Sequence, residues 1–141
     1  MMEMDESVVH LNEMDLFDPA DFDAEPSDEL VELDVKAVDR ALDTQNMSLK
    51  VWYFKPGDEM RYHAHREQEE VFYVIEGTFS VILGPPDNFE THQIDPGGFY
   101  AAGPDVGHGH RNVGEEVGVM LAIGAPNVTD LGVDPAEIHE G

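Results

Sequence analysis

The sequence contains no cysteine, so neither a disulfide framework nor a thiolate metal site can form. Basic residues are almost as scarce. Three Lys and four Arg stand against 31 Asp and Glu, a formal net charge of −24 over 141 residues. A surface of that sign repels nucleic-acid phosphate and anionic lipid, which argues against both as partners. Long apolar runs are missing too: no stretch approaches the roughly 20 residues that a membrane span needs. The start, Met1-Met2-Glu3-Met4-Asp5, is acidic where a secretory leader carries positive charge. A soluble, cytoplasmic protein is the expectation. There is also no serine elbow, phosphate-binding glycine loop or dinucleotide fingerprint, and no internal repeat.

What is present points to a folded domain. Hydrophobic residues make up 41% of the chain, and they are dense between residues 47 and 83. The charge therefore coats a core rather than marking disorder. So many carboxylates with so few lysines resemble proteins from a salty cytoplasm, where a short Debye length makes crowded like charges tolerable. A halophilic, acidic protein is expected on that ground.

Three stretches can be distinguished. Residues 1–29 carry eleven acidic and no basic residues, and read as an irregular acidic arm with anchors at Leu16, Phe17 and Phe22. A short helix over 27–31, capped by Ser27, is expected there. Residues 30–126 break into short apolar runs: 30–35, 47–54, 71–75, 78–83, 91–94, 99–102 and 117–123. Turn signals separate them at Pro56-Gly57-Asp58, Glu76-Gly77, Gly84-Pro85-Pro86 and Asp95-Pro96-Gly97-Gly98, with a glycine-rich link over 103–109. Short strands at this spacing predict an all-β antiparallel sandwich or barrel. Residues 127–141 form a short C-terminal tail, with one helical turn near 135–139.

Four of the seven histidines fall in two pairs, His63-x-His65 and His108-x-His110. In an extended chain, residues two apart share a face and lie about 6 to 7 Å apart, so two imidazoles can converge on one ion. Glu70 follows a polar segment able to turn the chain, and shares parity with Phe72 and Val74; Glu69 is its rival. Gly57, five residues, His63-x-His65, four residues, Glu70, six residues and Gly77 together resemble the first motif of the cupin superfamily. Gly98, and His108 three residues before Asn112, resemble the second motif. That motif departs from the family at two places: Gly103 stands where proline is usual, with Pro104 displaced by one, and Asp105 stands where glycine is usual.

The resemblance covers roughly residues 47 to 124. It implies an antiparallel double-sheet jelly-roll β-barrel with His63, His65, Glu70 and His108 as metal ligands. Three imidazoles and a carboxylate suit one divalent transition metal, with Fe or Mn favoured and Zn, Ni, Co or Cu also compatible. Gly57 and Gly77 read as turn residues needing positive φ, and Asn112 as structural, bonding backbone at a strand start. Trp52, Tyr53, Tyr62, Phe72, Tyr73 and Phe79 read as core. His110 shares a face with His108; it is either a barrel-lining residue or a fifth ligand, metal-sphere partner or catalytic proton-transfer group. His10, His92 and His139 read as surface residues.

The function expected is a metalloenzyme acting on a small organic molecule, as a dioxygenase, or as an isomerase or lyase. A non-catalytic cupin that binds or senses a sugar or metabolite is the alternative; a purely structural ion is a third. A homodimer is expected by resemblance, with residues 1–46 either swapping onto the partner or covering a sheet edge.

Overall fold

The computed structural model describes residues 8–17, 33–127 and 132–136. The strands are β1 Asp34–Lys36, β2 Ser48–Phe54, β3 Glu59–His63, β4 Glu69–Glu76, β5 Phe79–Leu83, β6 Glu90–Ile94, β7 Phe99–Ala102, β8 His108–Asn112 and β9 Gly118–Ala125. They form two antiparallel sheets, in the orders β1-β2-β9-β4-β7 and β3-β8-β5-β6. This is the double-sheet jelly roll that the sequence implied. Among the described residues, no helix is long and apolar enough to cross a membrane.

Alternation builds the interior. Phe72 and Val74 of β4, Phe79 and Val81 of β5, Phe54 of β2 and Met120 of β9 are buried between the sheets. The Phe54 and Phe79 rings meet edge to face at 5.2 Å, a favourable aromatic geometry. Asn112 sews one end of this core. Its Nδ2 donates to the carbonyls of Phe54 (2.9 Å) and Glu116 (2.8 Å), and its Oδ1 accepts from the Gly114 amide (2.8 Å). The structural role is as expected, although Asn112 closes β8 rather than opening a strand.

Several details differ from the sequence expectation. A five-residue helix, α1 (Val38–Leu42), follows β1. Asp39 holds it against β2, accepting from the Leu49 amide and the Lys50 ammonium, each at 2.8 Å. Leu16 is not an anchor: its side chain is 52% exposed. Phe17 is one, because its amide donates to the Val35 carbonyl at 2.7 Å and its ring packs on the core. Phe22 and the segment 27–31 lie outside the described residues.

The glycine-rich link is shorter than expected, since β8 begins at His108. Tyr53, Tyr62 and Tyr73 are only partly buried, whereas Trp52, Phe72 and Phe79 are core. Tyr73 instead packs on exposed Phe99, with ring centroids 4.5 Å apart. In the tail, Pro135 and Ala136 are helical; residues 137–139 lie outside the described residues. Val133 pairs antiparallel with Ala64.

Candidate metal centre

Three strands and one loop deliver the site. On β8, His108, His110 and Asn112 share one parity and are all buried. On β4, Glu70 shares the inward parity of Phe72 and Val74, while Glu69 is exposed. β3 reaches the same interior by an irregularity. Met60 pairs with His110 and His63 with His108, so β3 spends one more residue than β8 between those pairs. Simple alternation would place Met60 and His63 on opposite faces. The extra residue is a bulge that turns His63 inward beside His108. His65 lies just beyond β3, where its carbonyl accepts from the Asp105 amide at 2.7 Å.

One donor atom from each of His63, His65, Glu70 and His108 lies within 4.8 Å of the others. His63 Nε2 is 3.2 Å from His65 Nε2. Glu70 Oε1 is 2.9 Å from His65 Nε2 and 3.1 Å from His108 Nε2. The outer ring nitrogens fix the tautomers. His63 Nδ1 donates to the Arg61 carbonyl (2.6 Å) and His108 Nδ1 to the Val106 carbonyl (3.0 Å). In its neutral form each ring therefore turns an Nε2 lone pair toward the centre. For His108 that lone pair faces a carboxylate oxygen, and two acceptors at this distance repel. A cation at the focus satisfies all four donors together, and carbonyl-anchored imidazoles are the usual outer support of a metal ligand.

The electrostatics fit this reading. Burial lowers the His63 pKa to about 4, assisted by His108 and opposed by the Arg61 carbonyl, so the ring is neutral at pH 7. Burial alone would raise the Glu70 pKa, but a proton on Nε2 of His108 or His65 would set a hydrogen-bonded cation against its carboxylate, and this holds it well below the ordinary range. An ionised carboxylate and neutral imidazoles are the protonation states that bind a divalent ion.

The family model for the cupin domain matches residues 50–124, more than half of the chain. The chain is a cupin. Solved structures agree on the fold. A putative sugar phosphate isomerase from Acidithiobacillus ferrooxidans is 22% identical with a TM-score of 0.72, covering 95% of this cupin and 84% of that chain. An uncharacterized conserved protein with a double-stranded beta-helix domain from Klebsiella pneumoniae is 25% identical with a TM-score of 0.57, covering 64% and 77%. An oxalate decarboxylase from Lactobacillus farciminis, in a formate complex, is 20% identical with a TM-score of 0.66, covering 88% of this cupin and 35% of that chain. No curated protein matches the chain in sequence.

The departures from the second cupin motif now have a geometry. Asp105, where glycine is usual, sits at φ +68°, a left-handed conformation that Asp tolerates better than most residues. Gly57 and Gly77 have φ of +88° and +89°. At Gly77 a Cβ would lie 2.8 Å from the Gly118 Cα, so the position needs glycine on both counts.

His110 is not one of the four converging residues. It lies one step deeper, with its ring against Phe54, Phe72 and Phe79. Its Nδ1 is 2.5 Å from the Tyr100 hydroxyl, and its buried Nε2 has no hydrogen-bond partner among the described residues. Burial, reinforced by His108 and His63, lowers its pKa to about 3. Tyr100 is a site neighbour that sequence reasoning missed. It is buried, stacks on Phe72 at 4.6 Å, and has its pKa raised by burial and by the Glu70 charge. The parity of β7, on which Tyr100 and Ala102 face Phe72 and Glu70, was the available signal. His10 and His92 are exposed, as expected, and His139 lies outside the described residues. A cleft of about 600 Å³ flanks His63, walled by Arg61, Tyr62, Gly132, Val133 and Asp134.

Proposed function

We propose that this cupin is a metal-dependent enzyme acting on a small, oxygen-bearing organic molecule, with one divalent transition ion held by His63, His65, Glu70 and His108. The observation that carries the reading is the convergence of three imidazole nitrogens and one carboxylate oxygen within 4.8 Å. Such a donor set suits Fe or Mn, and also Zn, Ni, Co or Cu, rather than Ca or Mg, which want more oxygens. When bound, the ion supplies Lewis-acid polarisation of a substrate oxygen or, as Fe or Mn, a centre for dioxygen chemistry.

The chain's own residues set the rest. Glu70 contributes one negative charge, so a loaded site stays net positive and favours a carboxylate, carbonyl or hydroxyl oxygen. Phe72 and Tyr100 exclude water from the inner side. Arg61 in the cleft wall adds a positive charge beside His63. Isomerase or lyase chemistry is the preferred reading. It asks only for the ion's charge, and structural neighbours bearing the names sugar phosphate isomerase and oxalate decarboxylase support it. A dioxygenase on the same ligands is the second reading.

The test is elemental analysis of the purified, untagged protein beside a His63→Ala/His108→Ala variant. Near-stoichiometric transition metal, lost in the variant, is the expected result. Iron or manganese would direct substrate trials to oxygen consumption as well as to isomerisation and decarboxylation; the other ions would direct them to the latter two alone. No metal, even after reconstitution with each ion, overturns the proposal.

A further inference from the structure

We infer that Gly132 and Val133, from the far end of the chain, are positioning residues of the metal centre, and that their docking is coupled to metal binding. The inference rests on the metal reading above. Its starting point is Ala64, the fully buried residue between the ligands His63 and His65. The Ala64 amide donates to the Val133 carbonyl at 2.9 Å, and the Val133 amide donates to the Ala64 carbonyl at 2.7 Å. β3 ends at His63, so this reciprocal pair continues strand pairing across the ligand segment. The Asp105 amide holds the His65 carbonyl next to it. β3 holds His63, while Ala64 and His65 beyond it are fixed by two segments that are remote in sequence.

Gly132 acts on the ring itself. Its φ is +90°, and a Cβ built there would lie 2.9 Å from His63 Cδ2 and 3.6 Å from the Ala64 carbonyl oxygen. The glycine backbone thus lies against one edge of the imidazole, while the Arg61 carbonyl holds Nδ1. Between them the ring has one orientation, with Nε2 toward His65. The segment is anchored beyond the contact as well. Pro135 is fully buried, and the Ala136 amide donates to Asp134 Oδ1 at 3.0 Å.

A ligand imidazole that can swing loses its aim, and loss of outer supports typically weakens metal binding by roughly 10- to 100-fold. Linkage makes the effect reciprocal: bound metal must tighten Val133 on Ala64 by the factor that docking strengthens the metal. The experiment is Co²⁺ affinity, read from the visible absorption of the bound ion, for the intact protein, Val133→Pro, Gly132→Ala and Val133→Ala. Proline removes the amide that donates to Ala64, and alanine at 132 intrudes on His63. Val133→Ala keeps both backbone bonds.

Val133→Pro and Gly132→Ala are expected to bind Co²⁺ roughly 10- to 100-fold more weakly, with far-ultraviolet circular dichroism unchanged and Val133→Ala close to the intact protein. Hydrogen exchange at the Val133 amide of the intact protein should slow when Co²⁺ is added. Affinities of both disruptive variants within twofold of the intact protein overturn the inference and leave the metal centre standing. Should both variants fail to fold, a Val133 exchange rate indifferent to Co²⁺ overturns it equally. An intact protein that binds no Co²⁺ overturns the metal reading and this inference together.

Discussion

Along β4 the inward residues run Glu70, Phe72, Val74, and along β8 they run His108, His110, Asn112, so the same two strands line a polar end and an apolar end of one barrel. At the apolar end, Phe54, Phe79, Val81 and Met120 are completely buried, and Asn112 has its side-chain partners. At the polar end, three imidazoles and a carboxylate crowd together, an arrangement that holds only at a cost in stability without a cation between them. The comparison teaches that the chain stabilises one end in order to hold chemistry at the other. His110 sits at the boundary, polar by type and surrounded by rings.

This contrast can be broken most severely at its apolar end. Phe54→Ala is expected to cost about 3–5 kcal/mol, the usual range for emptying a buried aromatic site. Urea denaturation of the metal-free protein measures it, and a loss below about 1 kcal/mol would show that the apolar end is not the support. Asn112→Ala should cost roughly 1–3 kcal/mol, because two carbonyls and one amide lose their partner. The same titration reads it.

The polar end should respond to pH instead. In the folded protein burial holds His63 near 4 and His110 near 3, against an ordinary 6.5. Unfolding therefore takes up protons between pH 6.5 and those values. Stability is full above pH 6.5 and falls as pH is lowered through that window. Glu70, also shifted down, adds to the loss at lower pH. Urea midpoints of the metal-free protein at pH 7.5, 6 and 5 should decline in that order; a flat series contradicts the assignment.

The smallest effect is expected at the boundary. His110→Phe removes a buried nitrogen that has no partner among the described residues but strands the Tyr100 hydroxyl, so the two changes should nearly cancel, within about 1 kcal/mol. Metal content should be unchanged. A full loss of metal would place His110 in the ligand set.

Much of this was legible in sequence because the strands are short and the turns explicit. Phe72 and Val74 betray the inward face of β4, and that face carries Glu70 rather than Glu69. His63 and His65 converge as residues two apart in extended chain should, with Ala64 kept extended by Val133. The pairing itself was not legible, since backbone bonds between remote segments leave no side-chain pattern. The β3 bulge was hidden for a related reason: whether alternation skips between Met60 and His63 is decided by the partner strand β8. α1 was obscured by its brevity. It has no side-chain cap at Ala37 and ends at Asp43 in a left-handed conformation, so the usual boundary signals are missing.

The order of the larger sheet has a consequence for how the chain reaches this state. β2 lies between β1 and β9, and its run through Val51, Trp52 and Phe54 finds its second neighbour only when the last strand arrives. Pairing across such a sequence distance is slow, and an apolar strand left waiting is prone to join another chain. The large acidic excess keeps unfinished chains apart by mutual repulsion, so the surface charge protects the polypeptide before it has a surface.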